Sequence, residues 1–169
     1  RAGAVRSAGL GGLSRLNNIA GVKILIVGCG RVGASLARTM LGEGHEVSCL
    51  DEDPDSHARL ELGLESSWED EGGQFTVGTG LEIDALTTAG IERADVFVAS
   101  TNGDNTNIVI AQIAQRRFRV ETVIARILDP YRAEWYATQG LRTICPTRTA
   151  IEMLETSVRE VAAAREEQA

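Results

Sequence analysis

The run Val22-Lys23-Ile24-Leu25-Ile26-Val27 leads without a break into Gly28-Cys29-Gly30-Arg31-Val32-Gly33. An amphipathic stretch follows to Leu41, and a second apolar run, Glu46 to Leu50, ends in Asp51. A β-branched strand, a Gly-x-Gly-x-x-Gly loop, a helix and a strand ending in an acid make a βαβ dinucleotide-binding unit. Gly28 permits the tight turn, Gly30 lets backbone approach a pyrophosphate, and Gly33 lets the helix pack close to the strand. The helix start around Arg31 and Val32 presents free N–H groups and partial positive charge to phosphates. Arg31 is unfavourable at a helix N-terminus unless an anion stands before it, which favours a phosphate role over a solvated one. Asp51 is placed to accept from ribose hydroxyls and to repel a 2′-phosphate, so NAD or an adenosine nucleotide is preferred over NADP. Glu52 becomes the ribose acid if the register shifts by one. Asp53, followed by Pro54, reads more simply as a helix cap.

Beyond this unit, strands and helices alternate. Strands are expected at Phe75–Val77, Val96–Ala99, Thr122–Ile127 and Arg142–Cys145. Helices are expected at Arg31–Leu41, Pro54–Leu62, Glu82–Ala89, from Asp104 or Asn105 to Arg116, at Tyr131–Thr138, and at Thr147–Arg165. The fourth and fifth strands are continuous apolar runs, the mark of a sheet covered on both faces. The chain therefore reads as α/β, a Rossmann-like doubly wound parallel six-stranded sheet in the order 3-2-1-4-5-6 with a C-terminal helix. Residues 1–21, rich in Gly and Ala, read as a flexible leader or linker. Residues 22–146 read as the nucleotide-binding domain and 147–169 as a dimerisation helix. Gly63–Gly73 is an acidic surface loop with Trp68 as a candidate anchor.

The other strand exits share the carboxyl edge, where such sheets bind ligand. They carry Thr79, Thr101, Asn102 and Asp104. Turn and cap chemistry competes with binding at each, and Asp104 reads as a cap. Arg126, inside the fifth strand, needs an anion, either a phosphate or a buried acid such as Asp95.

The chain has 169 residues, and its net charge of -7 argues against nucleic acid, which needs a basic face. Cys29, Cys49 and Cys145 lack Cys-x-x-Cys spacing and read as small buried hydrophobes, Cys29 having no resolving partner in sequence. Lys23 is the only lysine, so a Tyr-x-x-x-Lys pair is impossible despite Tyr131 and Tyr136. His45 and His57 lie away from any position facing a nicotinamide. No residues have metal-ligand spacing. The pattern describes a nucleotide sensor better than an enzyme. An NAD-dependent oxidoreductase fragment without its catalytic domain is the alternative, and an empty dimerisation scaffold is the third. In the last helix, Ile151, Leu154, Val158, Val161 and Ala162 form an apolar stripe, packed on its own sheet or exported to a second subunit.

Several segments together resemble the TrkA N-terminal domain, also called RCK or KTN. They are Val27 to Gly33, Thr76-Val77-Gly78-Thr79-Gly80, Leu86 to Asp95, Thr101 to Asn107 and Ile124-Ala125-Arg126. The likeness extends from about Val22 to Leu154, with Gly78-Thr79 where the family commonly has Gly-Asp. It implies a cytoplasmic regulator of potassium transport that binds NAD(H), or ADP/ATP, and sits at the inner face of the plasma membrane. It also implies homodimers assembled into a ring beneath a membrane potassium-transport subunit. By position, Gly28, Gly30, Arg31, Gly33, Asp51, Thr101 and Arg126 would line the nucleotide, and the last helix would cross between subunits.

Overall fold

In the computed structural model, which describes residues 21–166, the apolar run becomes β1 (Lys23–Val27), between β2 (Glu46–Asp51) and β4 (Val96–Ala99). β3 (Gln74–Val77) lies outside β2, and β5 (Thr122–Arg126) and β6 (Arg142–Ile144) lie beyond β4. The order is β3-β2-β1-β4-β5-β6 and every pairing is parallel, as expected. The leader expected over residues 1–21 lies, but for Gly21, outside the described residues.

Residues 24–29 are buried in an unbroken run because helices cover both faces of β1. On one face, Ile24, Ile26, Val47 and Cys49 meet Ala34 and Ala37 of α1 (Arg31–Gly42). On the other, Leu25, Val27, Phe97 and Ala99 meet Ile110, Ala111 and Ala114 of α4 (Asp104–Arg116). Leu86 of α3 (Ile83–Thr88) and Ala133 of α5 (Pro130–Thr138) extend that second layer. The two clusters make the core. Each fully buried Leu or Ile contributes about 1.5–3 kcal/mol of transfer free energy.

Three local expectations need correction. The helix expected over Pro54–Leu62 is a 3-10 turn, Pro54–Ser56, followed by one α-turn, α2 (His57–Leu60). Asp53 does cap it, accepting from Asp55 N at 3.0 Å, but Gly63 at φ 85° ends the segment early and leaves Leu62 exposed. Asp104 is not a cap, because Gly103 holds that position. Its carboxylate instead accepts the backbone N–H groups of Leu128 (2.8 Å) and Asp129 (3.0 Å), tying the start of α4 to the exit of β5. Cys29 does have a neighbouring thiol: a hydrogen bond with the Cys29 side chain, then burial, holds the Cys49 thiol well above its usual range. Both side chains are fully buried, which favours packing over reactivity.

Trp68 is an anchor. It has no exposed surface, and it packs with Leu60 and Cys49 beneath the acidic loop. A Cβ on Gly73 would overlap its indole ring, so that position must be glycine for the loop to close over Trp68. The last helix, α6 (Pro146–Glu166), starts one residue earlier than expected, with Pro146 opening the helix as well as ending β6.

Candidate functional site

At the carboxyl ends of β1 to β4 the crossovers run in opposite directions from β1, and a cleft of about 600 Å³ opens there. Its floor is the glycine loop. Gly28 has φ 95°, and a Cβ there would meet Thr101 N at 2.5 Å, so the loop lies directly on the exit of β4. A Cβ on Gly33 would overlap the Gly28 carbonyl oxygen, so Gly33 serves the close approach of α1 rather than the cleft surface. Gly30 differs. A Cβ there would meet nothing within 4 Å, and the missing side chain leaves room above the loop. Gly30 is also the N-cap of α1, with no side-chain cap and no acid in the first turn. Uncapped N–H groups at a helix start are an anion site.

The cleft brings together Gly28, Gly30, Arg31, Val32, Asp51, Glu52, Thr79, Thr101, Asn102 and Arg126. Of the expected residues, Gly33 alone lies beneath rather than on its wall. Asp53, Arg59, Gly80, Leu81, Ser100 and Thr106 also line it, and sequence reasoning missed them as site residues. Arg59 could not be placed from periodicity because α2 is a single turn. It reaches the cleft with Nη1 3.9 Å from Asp53 Oδ2.

Charge is divided across the cleft. The acids Asp51, Glu52 and Asp53 stand at the exit of β2, while Arg31 and Arg126 flank the glycine loop and the exit of β4. Asp51 accepts from Cys29 N at 2.5 Å through Oδ2 and from Asp53 N at 2.9 Å through Oδ1. Those bonds fix the carboxylate while leaving each oxygen a further lone pair for a hydroxyl. Arg31 is exposed and has no acid within ion-pair distance among the described residues.

Asp95 is not the partner of Arg126. Asp95 is at the other edge of the sheet and accepts from Lys23 N at 2.8 Å. Arg126 Nη2 donates to the Thr101 carbonyl at 2.6 Å, and its buried Nε has no partner. A buried donor left in that state costs about 1–3 kcal/mol, and an anion in the cleft would satisfy it. A nucleotide phosphate fits that donor, the open space over Gly30 and the uncapped start of α1.

Asn107 organises this wall although it does not line it. It is buried on α4 and accepts from Thr101 N (2.9 Å) and Thr101 Oγ1 (2.7 Å). Its Nδ2 donates to the Thr101 carbonyl (3.0 Å) and the Arg126 carbonyl (2.8 Å). The Thr101 hydroxyl is therefore committed to Asn107. An Asn in register with Ala111 and Ala114 on an apolar helix face was the available sign of this role.

A smaller cavity of about 270 Å³ opens at the opposite edge of the sheet, among Lys23, Glu46, Ser48, Gln74 and Arg93. It has no glycine loop and no unpartnered buried donor.

A family model, the TrkA-N domain, matches residues 24–146. The Trk system potassium uptake protein TrkA of Streptomyces coelicolor is 46% identical over 132 residues, 78% of this chain and 56% of that protein. The chain thus spans little more than half the length of that relative. The AMP-bound C-terminal domain of Kef from Shewanella denitrificans superposes with a TM-score of 0.62 at 22% identity, covering 86% of this chain and 91% of that one. The RCK domain of GsuK superposes with a TM-score of 0.67 at 18% identity, covering 85% of this chain and 29% of that one. A further GsuK structure, the channel bound to NAD, gives 0.56 at 21% identity over 78% and 22% of the two chains.

Proposed function

This chain belongs to the TrkA-N domain family, and from that premise we propose that it is a nucleotide-sensing regulatory module of a potassium-transport system. The observation that carries the reading is the buried, unpartnered Arg126 Nε beside the glycine loop. It calls for an anion where a dinucleotide fold places phosphates. Arg31 and the start of α1 add positive charge on the same side. Asp51 holds the ribose, leaving Thr79, Gly80 and Leu81 beside the base. Glu52 and Asn102 stand at the rim. NAD(H) is the first candidate and ADP or ATP the second, in keeping with the NAD-bound and AMP-bound neighbours.

A second copy of the chain takes the exposed stripe of α6, in which Ile151 is 46%, Leu154 67%, Val158 69% and Val161 58% exposed. A symmetric pair of such helices would bury this stripe. Such pairs would assemble into a ring beneath a membrane subunit at the cytoplasmic face. Among the described residues no helix is long and apolar enough to cross a membrane. Nucleotide acts by binding one inter-domain arrangement more tightly than the other, and the partner reads the shift.

The test is calorimetric titration with NADH, NAD, ADP and ATP. Binding of at least one at micromolar affinity is expected. Gly30→Val should abolish it with little loss of stability, because a Cβ there would meet nothing within 4 Å and the added bulk takes the room above the loop. No binding up to millimolar nucleotide would end the proposal, and NADH turnover with small carbonyl compounds would replace the sensor with the oxidoreductase.

A further inference from the structure

The segment from α2 to β3 carries chemistry that the nucleotide cleft does not use. His57 Nε2 lies 2.9 Å from Glu69 Oε1 and 3.2 Å from Glu69 Oε2. Its Nδ1 lies 3.9 Å from Glu61 Oε2, one helical turn further on. One ligating atom from each of these three residues lies within 4.8 Å of the others. The imidazole is held edge-on against Phe75, with ring centroids 5.2 Å apart. Glu69 follows the fully buried Trp68, so its backbone is anchored as well. Residues 61–73 contain Glu61, Glu65, Glu69, Asp70 and Glu71 and no Lys or Arg. Arg59 of α2 faces Asp53 instead.

Carboxylates alone would attract any hard cation weakly. The imidazole changes the selectivity, since a ring nitrogen favours first-row transition ions over Mg²⁺ or Ca²⁺. We propose that His57, Glu61 and Glu69 bind a divalent transition cation, Zn²⁺ being the best match, with water completing the shell. In a tetrahedral shell with bonds near ~2.1 Å, ligand atoms stand roughly 3.4 Å apart. The His57–Glu69 pair is already close to that spacing. With the cation on Nε2, Glu61, with 39% of its side chain exposed, turns from the Nδ1 side of the ring, one ligand atom of each residue already lying within 4.8 Å of the others. The cation would staple α2 to the loop before β3, behind the acids of the β2 exit. The site stands independently of the nucleotide reading.

The competing arrangement is a protonated His57 bridging two glutamates, with no metal. Calorimetric titration of Zn²⁺ into metal-stripped protein separates the two. A Cys145→Ser background removes the one thiol that is not fully buried. One Zn²⁺ per chain is expected. His57→Ala and the near-isosteric Glu69→Gln should each weaken binding by roughly tenfold or more, at least the loss typical of an outer-shell change. Far-UV circular dichroism of both variants should match the parent. Co²⁺ in the same protein should show visible bands of nitrogen and oxygen ligation without thiolate charge transfer. Absence of stoichiometric Zn²⁺ binding by the parent overturns the proposal, as does binding that survives unchanged in a folded His57→Ala or Glu69→Gln.

Discussion

α4 buries Asn107, Ile108, Ile110, Ala111 and Ala114, whereas α6, with Ile151, Leu154, Val158 and Val161 at comparable helical spacing, leaves every side chain from Thr147 to Arg165 exposed. Both helices have one apolar face, and periodicity alone cannot tell them apart. Position in the sheet order does. α4 lies on the crossover between β4 and β5, so both its ends are tied to adjacent strands and its apolar face must lie on the sheet. α6 follows β6, the edge strand, and among the described residues it lies on no crossover between strands. An apolar stripe marks a face suited to burial, and for α4 the topology puts that face on the sheet.

The contrast can be broken at three places. Ile110→Ala removes a fully buried side chain from α4 and should cost about 2–5 kcal/mol in denaturant unfolding. A cost near zero would mean that the α4 face is no more part of the core than the α6 face. Asn107→Leu keeps the volume on the same face but leaves Thr101 N and the Arg126 carbonyl without a partner. A loss of about 1–3 kcal/mol is expected, with weaker nucleotide binding as the Arg126 wall loosens. Unchanged stability and affinity would show that the wall is held by other contacts. Leu154→Ala on α6 should change unfolding of the separated chain by less than about 0.5 kcal/mol, the usual size at an exposed position. The same substitution should weaken self-association in sedimentation, and a chain that is monomeric at all concentrations would leave the α6 stripe without a second copy.

The parts of this molecule that are legible in sequence are those fixed by local rules. Strand alternation gave the sheet order, and the glycine loop followed by Asp51 gave the floor and one wall of the cleft. Asp53-Pro54 gave a cap. What was not legible depends on residues distant in sequence. Asp104 looks like a cap because its type and position suit one, yet its carboxylate serves two N–H groups beyond β5. Asp95, one alternative for Arg126, lies at the opposite edge and serves Lys23 N. Arg59 lines the cleft from a helix of a single turn, too short for periodicity to orient it. The contact between Cys29 and Cys49 arises because the glycine loop folds back over the end of β2, where Gly28 N donates to the Leu50 carbonyl at 2.9 Å. Periodicity contains none of this, since each case depends on which strands become neighbours.

The two outer strands carry a last consequence. β3 has four residues and β6 has three, and among the described residues each is paired on one side only. Rows of backbone donors and acceptors this short are poor templates for another chain. Strand-by-strand growth, the route to a continuous intermolecular sheet or to fibres, is thereby discouraged at both ends of the molecule. A contact made by side chains on helices has no such ladder, and its geometry can shift without breaking backbone hydrogen bonds.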